Sequence, residues 1–290
     1  MLLNALYQIE VMKKVGDVPE DEIKKIYERK KELLHAKHIL VKDEELANKI
    51  YDELKNGASF DFLAREYSED RSNKEKGGDL GEFTTLAMVK EFEDAAYALS
   101  PGEFSKPVKT KFGWHIIYLV DRKPNPKVKS YEEEKKGIVR ALERRKRSER
   151  TNEFIEGLMK EANIEFNDEA VKVVLDAYGS VEAKEPGKKV EVSLTPEQRA
   201  MTLCTYKYGS WTIAQFDSMY KAMPPYRKPQ IKSKDDLENI MKMSLRKEML
   251  LKKAEELKVD QTEEYKKEYQ KSLERRMLLS LIHISEPTRL

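Results

Sequence analysis

The chain has 290 residues, 39% hydrophobic and 37% charged, with 55 basic side chains against 53 acidic ones and a formal net charge of +2. That length and apolar content suit at least two modest cores, and the near-cancelled charge excludes a global pull toward nucleic acid or an acidic lipid surface. A lone cysteine, Cys204, excludes an internal disulfide and gives no CxxC signal for zinc or thiol redox chemistry, and no apolar run reaches the roughly 18 residues that read as a membrane span. The opening MLLNALYQIEVMKK lacks a basic n-region and a cleavage site, and Glu10 interrupts it. It reads as the end of an amphipathic helix in progress, so the expectation is a protein that begins upstream. In VPEDEIKKIYERKKELL, Pro19 and the acidic triplet after it predict a first helical turn favoured by the helix dipole, and residues 1–34 are taken as a helical lead-in. The short β-prone run Ala36 to Val41 predicts a strand buried on both faces. EELANKIYDELKNG, with Leu46, Ile50 and Leu54 at fourfold spacing and Gly57 as a stop, predicts an amphipathic helix, and FDFLAREYS a shorter one. The glycines of EDRSNKEKGGDLGEF predict a loop able to approach a ligand closely. MVKEFEDAAYAL returns to helical period, SPGEF turns, and KPVKT and WHIIYLV extend as strands joined through KFG. Strand, helices, strand, strand is the order of an α+β domain with a small antiparallel sheet, placed over residues 35–123.

Beyond Pro126 a long helical pattern carries mixed charge and sparse apolar positions, Ile138, Leu142, Phe154 and Leu158, and predicts a connecting arm over 127–165. Its basic run, Arg140 to Arg150, is interrupted by glutamates and has no interleaved aromatics, which describes a solvated face and not a nucleic-acid surface. Residues 181–190 are polar and predict a loop. The stretch 166–277 is read as mainly helical with one β-hairpin, LCTYKYGSWT, turning at Gly-Ser. Ser233 is placed as the cap of a helix with Asp235 and Asp236 in its first turn, and another charged helix starts near Thr262. Met241, Met243, Met249 and Met277 form either an adaptable apolar surface or plain helix core. Leu279 to Arg289, LSLIHISEPTR, resembles the translation of a sequencing-library adapter; residues 278–290 are set aside on that ground, and His283 with them.

HILVKDEELA, FDFLAREYSED, GGDLGEF, MVKEFEDAAYAL and PVKTKFGWHII fall in the order found in parvulin isomerases, and residues 35–123 resemble that PpiC-type family. The flanking helices more loosely resemble those of SurA-like and PrsA-like envelope foldases. The resemblance implies a four-stranded antiparallel sheet with surrounding helices, flanked by chaperone-like helical segments. It also implies catalysis of X-Pro cis/trans isomerisation, a rotation that faces a barrier of about 18–20 kcal/mol because twisting destroys amide resonance. Such a catalyst needs an apolar slot for the proline ring and polar groups that favour the twisted amide. By resemblance, Met88 and Phe92 line the slot, their spacing placing both on one helix face, and Leu80 and Phe112 complete its wall. His38 and His115 match the family's facing histidine pair, as scaffold or as catalytic groups. Glu69 and Asp70 both lie where the family places its polar partner; Asp70 is the choice, as a carboxylate that disfavours the polar resonance form of the amide. Thr110 matches a position that hydrogen-bonds in the family's site, and is otherwise an ordinary strand threonine.

His35 lies on the strand face opposite His38, so no metal site is read there, and no cofactor is called for. The function expected is a peptidyl-prolyl isomerase and folding chaperone acting on unfolded, proline-containing polypeptides. A holdase that binds such peptides without catalysis is the alternative. An extracytoplasmic location follows from the foldase resemblance alone. Oligomeric state is left open.

Overall fold

The structure, a computed structural model, describes residues 1–179, 193–224 and 228–285, with side chains through 274. The loop expected at 181–190 lies outside the described residues, as do residues 286–290 and the side chains of Met277 and His283. The chain divides into two compact units, residues 16–146, and residues 1–15 with 147–290. Helix α1 (Leu2–Glu10) belongs to the second unit.

The first unit opens with α2 (Glu20–Lys30), whose first turn holds Glu20, Asp21 and Glu22 and whose last holds Arg29 and Lys30, complementing the helix dipole at both ends. Strand β1 (Glu32–Val41) follows, then α3 (Glu44–Lys55) and α4 (Phe60–Tyr67), capped by Asp43 and Ser59. Next come β2 (Asp79–Phe83), α5 (Lys90–Ala98), β3 (Val108–Thr110) and β4 (Gly113–Pro124). The strands form one antiparallel sheet in the order β2-β1-β4-β3. Its central pair runs from Glu32 opposite Pro124 to Val41 opposite Trp114. Alternation gives each face its own core. Leu34, Ala36, Ile117 and Leu119 pack with Phe92 and Ala96 of α5, while Ile39, Val41 and Ile116 pack with Ala47 and Ile50 of α3 and Leu63 of α4. Helix α6 (Tyr131–Glu161) then begins, and its residues to 146 belong to this unit. Ile138 and Leu142 of α6 close a buried cluster with Ile23 and Ile26 of α2.

Three local expectations change. Strand β1 starts at Glu32, because Glu32, Leu33 and Leu34 pair with Pro124, Lys123 and Arg122, a long-range contact that overrides the helical run before them. The glycine-rich segment includes an edge strand, β2, which β1 recruits by hydrogen bonding. Met88 precedes helix α5, whose N-cap is Val89, so it does not share a helix face with Phe92.

In the second unit, β5 (Glu165–Phe166), β6 (Thr202–Tyr206) and β7 (Gly209–Thr212) form a sheet in that order. The same unit carries α7 (Asp168–Gly179), α8 (Pro196–Ala200), α9 (Ile213–Ala222), α10 (Lys234–Glu256) and α11 (Glu263–Ser285). The β6–β7 hairpin turns at Lys207–Tyr208, ahead of the Gly-Ser pair, which instead opens β7. Ser233 caps α10 in a reciprocal capping box with Asp236. Leu203, Cys204, Phe216 and Met241 lie in the main core of this unit; Met249 is also buried, whereas Met243 faces solvent. Among the described residues no helix is long and apolar enough to cross a membrane.

Candidate functional site

The register of the central strands sets the site. His38 stands opposite Ile117 and His115 opposite Leu40, so the two histidines are diagonal neighbours on the face that carries α5. Their Nδ1 atoms are 3.1 Å apart and the rings stack with centroids 5.3 Å apart. Each residue is only 5% exposed. The chain of contacts continues at both ends. His38 Nε2 lies 2.9 Å from Asp70 Oδ2, and Thr110 Oγ1 lies 2.9 Å from His115 Nε2.

The protons along this chain can be placed by elimination. Burial, working against the bond and charge of Asp70, holds His38 below the ordinary imidazole range, and burial together with the neighbouring His38 pushes His115 down to about 4. Both rings are therefore neutral near pH 7, each with one N–H. Burial opposes the Asp70 charge, but the Ser72 hydroxyl and amide, with His38, outweigh it and hold the carboxyl below its usual value. The Asn73 amide lies 3.0 Å from His38 Nε2 but closer to Asp70 Oδ2, at 2.8 Å, and donates there; an ionised carboxylate only accepts, so His38 donates from Nε2 to Asp70 and leaves Nδ1 bare. His115 must then donate from Nδ1, and Thr110 donates its hydroxyl proton to His115 Nε2. The Thr110 oxygen accepts in turn from the Phe112 amide at 3.0 Å. Every donor in the row points toward Asp70.

Asp70 is fully occupied. Oδ2 accepts from His38 and from Asn73 Nδ2 at 2.8 Å, and Oδ1 accepts from the Ser72 amide at 3.0 Å and the Ser72 hydroxyl at 2.6 Å. Those contacts use the four acceptor directions of a carboxylate, so Asp70 orients His38 and has none left for a substrate amide. The competing acid Glu69 turns to the Lys42 amide at 3.0 Å, away from the histidines. Asn73, 5% exposed, and Ser72 were missed in the sequence, although Asp70-Arg71-Ser72 has the spacing of an Asx-turn, in which a carboxylate accepts from the amide two residues on.

Gly78 carries the expected close approach, but toward β1. A Cβ there would lie 2.1 Å from the His38 carbonyl oxygen, and its φ is +80°. The Gly78 carbonyl accepts from the His38 amide at 2.9 Å, fixing the backbone beneath the His38 imidazole.

Next to the polar row lies an apolar cluster. Phe92 is buried and sets its ring edge-on to both imidazoles, 5.9 Å from His38 and 5.4 Å from His115 between centroids. Leu80 and Met88 pack against the same cluster and stay partly open to solvent. Phe112 does not join them; it is 50% exposed at the tip of the β3–β4 hairpin. Beneath Met88 lies a fully buried acid that sequence reading missed, Glu93, paired with Arg145 of α6 at 2.9 Å. Among the described residues no group of His, Cys, Asp or Glu is placed to hold a metal ion.

Comparison with known proteins bears on the same stretch. The family described as Rotamase: PPIC-type PPIASE domain matches residues 21–121. The chain is 46% identical over 157 residues to Foldase protein PrsA 4 of Bacillus cereus, covering 53% of this chain and 54% of that protein. Against the crystal structure of the peptidylprolyl isomerase PrsA from Bacillus anthracis it is 37% identical, covering 54% of this chain and 69% of that one, with a TM-score of 0.38. Against the solution structure of NmPin, the parvuline of Nitrosopumilus maritimus, it is 45% identical, covering 31% of this chain and 96% of that one, with a TM-score of 0.29. The chain spans about half the length of the curated relatives it matches.

Proposed function

Residues 21–121 of the chain belong to the PPIC-type rotamase family, and from that premise we propose that the protein is a peptidyl-prolyl cis/trans isomerase that assists the folding of proline-containing polypeptides. The observation that carries the proposal is the contact between two unlike groups: a hydrogen-bonded row, Thr110–His115–His38–Asp70, whose buried imidazoles are neutral and whose one charge is the Asp70 carboxylate at its end, and an apolar cluster joined to it through the ring of Phe92.

Rotation about an X-Pro amide forms no bond, so the protein has only to bind the twisted amide better than the planar one. Leu80, Met88 and Phe92 hold the proline ring by apolar contact and fix one side of the rotating bond. The planar amide carries more negative charge on its oxygen than the twisted one. A cation beside it would favour the planar state and slow the rotation. Neutral imidazoles remove that brake, and the net negative charge of Asp70 favours the less polar twisted form. Asp70 acts through His38 and through its field; Thr110 and His115 keep the row in one proton arrangement.

We place the protein outside the cytoplasm, as the foldase likeness implies, with unfolded polypeptides as clients. An upstream reading frame with a secretory signal or a lipid-attachment cysteine supports that location, and a long soluble extension refutes it.

The test is exchange NMR on a short Xaa-Pro peptide with the full chain. Acceleration that falls in Phe92→Ala, with a smaller loss in Phe112→Ala, supports the isomerase and its slot. Peptide-induced shifts without acceleration identify a binding-only holdase and sink the enzyme reading.

A further inference from the structure

The family-matched segment ends at residue 121, but the compact unit runs to 146. What the added helix does is visible at the loop between β2 and α5, which delivers Met88 to the slot. Met88 lies before the N-cap of α5, so no helical hydrogen bond holds its backbone. Both of its peptide groups are held by side chains instead. Its amide donates to Glu93 Oε1 at 3.0 Å, and its carbonyl accepts from Arg145 Nη2 at 3.0 Å. The same Arg145 nitrogen donates to Glu93 Oε2 at 2.9 Å, and Glu93 has no exposed surface. A buried, singly hydrogen-bonded charge is unstable, whereas this pair satisfies both partners and fixes Met88 between them.

A second contact points the same way. Leu86, two residues earlier, has φ of +69°, a left-handed backbone that a leucine adopts only under outside constraint. The constraint is the cluster of Ile23, Ile26, Ile138 and Leu142 between α2 and α6, against which the Leu86 side chain packs. The loop is thus pinned at Leu86 by apolar packing and at Met88 by the Arg145–Glu93 pair, and α6 supplies part of both.

We infer that the first half of α6 is a brace for the proline slot, and that Arg145 is a positioning residue which, with Glu93, sets the place of Met88. The isomerase unit is therefore residues 16–146, and the segment beyond 121 belongs to its substrate site. The inference rests on the isomerase reading for its kinetic consequence, not for its structural one.

The experiment uses the full chain with methionine methyl groups labelled with 13C and a short Xaa-Pro peptide as probe. Arg145→Met releases the Met88 carbonyl and leaves Glu93 unpaired; the double variant E93Q/R145M releases the carbonyl without a stranded buried charge, keeping the fold testable. Ångström-scale misplacement in a site can cost up to about 100-fold, and loss of one of two pins is expected to raise KM and the peptide Kd about tenfold with kcat within about twofold. The Met88 methyl resonance should shift in both variants while the imidazole 15N signals stay. Arg145→Lys, which keeps the charge and one donor, should recover most of the affinity. Unchanged Kd and an unmoved Met88 methyl in the double variant overturn the brace, as does a loss confined to kcat. If the unmodified chain binds the peptide without isomerising it, the isomerase reading falls, and Kd with the Met88 resonance still decides the brace.

Discussion

Replacing Asp70 with alanine tests the proton row at its anchor. Asp70 is the sole acceptor that forces His38 to carry its proton on Nε2, and that choice propagates to His115 and Thr110. The substitution strips four donors of their partner. The two from Ser72 lie at the surface and water replaces the carboxylate there. His38 Nε2 and Asn73 Nδ2 belong to residues only 5% exposed. A buried donor left unpaired costs about 1–3 kcal/mol, but the Asp70 side chain is 25% exposed, so water reaches the vacated space. A stability loss of about 2 kcal/mol is therefore expected from urea unfolding. The more specific signature is tautomeric. Long-range 1H–15N spectra of the unmodified protein at pH 7 should show His38 protonated at Nε2 and His115 at Nδ1. In Asp70→Ala, His38 should populate both tautomers, and kcat/KM should fall about tenfold as the row loses its single arrangement. A His38 protonated at Nδ1 in the unmodified protein refutes the elimination that placed the protons. Unchanged tautomers and activity in Asp70→Ala refute the anchoring role.

Acid should weaken the fold in a defined window. His115 falls from the ordinary 6.5 to about 4 in the native state, so the unfolded chain binds the extra proton first and stability declines as pH drops from 6.5 toward 4. The gap corresponds to an upper bound of about 3 kcal/mol. Urea midpoints between pH 6.5 and 5, before most carboxylates titrate, should reveal it, and kcat/KM should be flat above pH 6.5; a midpoint that rises on acidification contradicts the neutral pair. Gly78→Ala forces a Cβ to within 2.1 Å of the His38 carbonyl oxygen at φ +80° and should cost about 3 kcal/mol. Gly81→Ala has φ +68° with open space around it and should cost only about 1 kcal/mol; equal losses in calorimetry would show that the contact with β1 is not what matters.

Much of the site was legible because strand alternation is a strict rule. Placing His38 and His115 on strands was enough to set each on a definite face, and pairing then made them diagonal neighbours. The resemblance supplied Asp70 and Thr110, and geometry made them the ends of one row. What sequence left unread depends on contacts distant along the chain. Nothing in Glu32-Leu33-Leu34 signals that residues 122–124 will extend β1 backward. The short run DLGEF lacks strand propensity and becomes one because β1 offers an edge. Helical period placed Met88 inside α5, but its N–H bonds to Glu93 and not into the helix. Glu93 has no signal of its own within MVKEFEDAAYAL; its partner Arg145 lies in a basic run that read as solvated, and only packing brings the two together. Phe112 was grouped with the slot by motif order, yet the tight Thr110–Gly113 hairpin leaves its ring at the tip.

The neutrality of the paired imidazoles also sets how the site responds to dissolved salt. Asp70 is the one charge in the row, and four donors at hydrogen-bond distance already meet it. Mobile ions screen interactions between solvated charges across about 8–10 Å and hardly reach such contacts. The exposed pairs that decorate the helices, such as Lys90–Asp94 on α5 and Lys135–Glu20 between α6 and α2, have no such shelter. An environment of variable ionic strength would loosen the surface pairs of this unit and leave the contacts of its row nearly untouched.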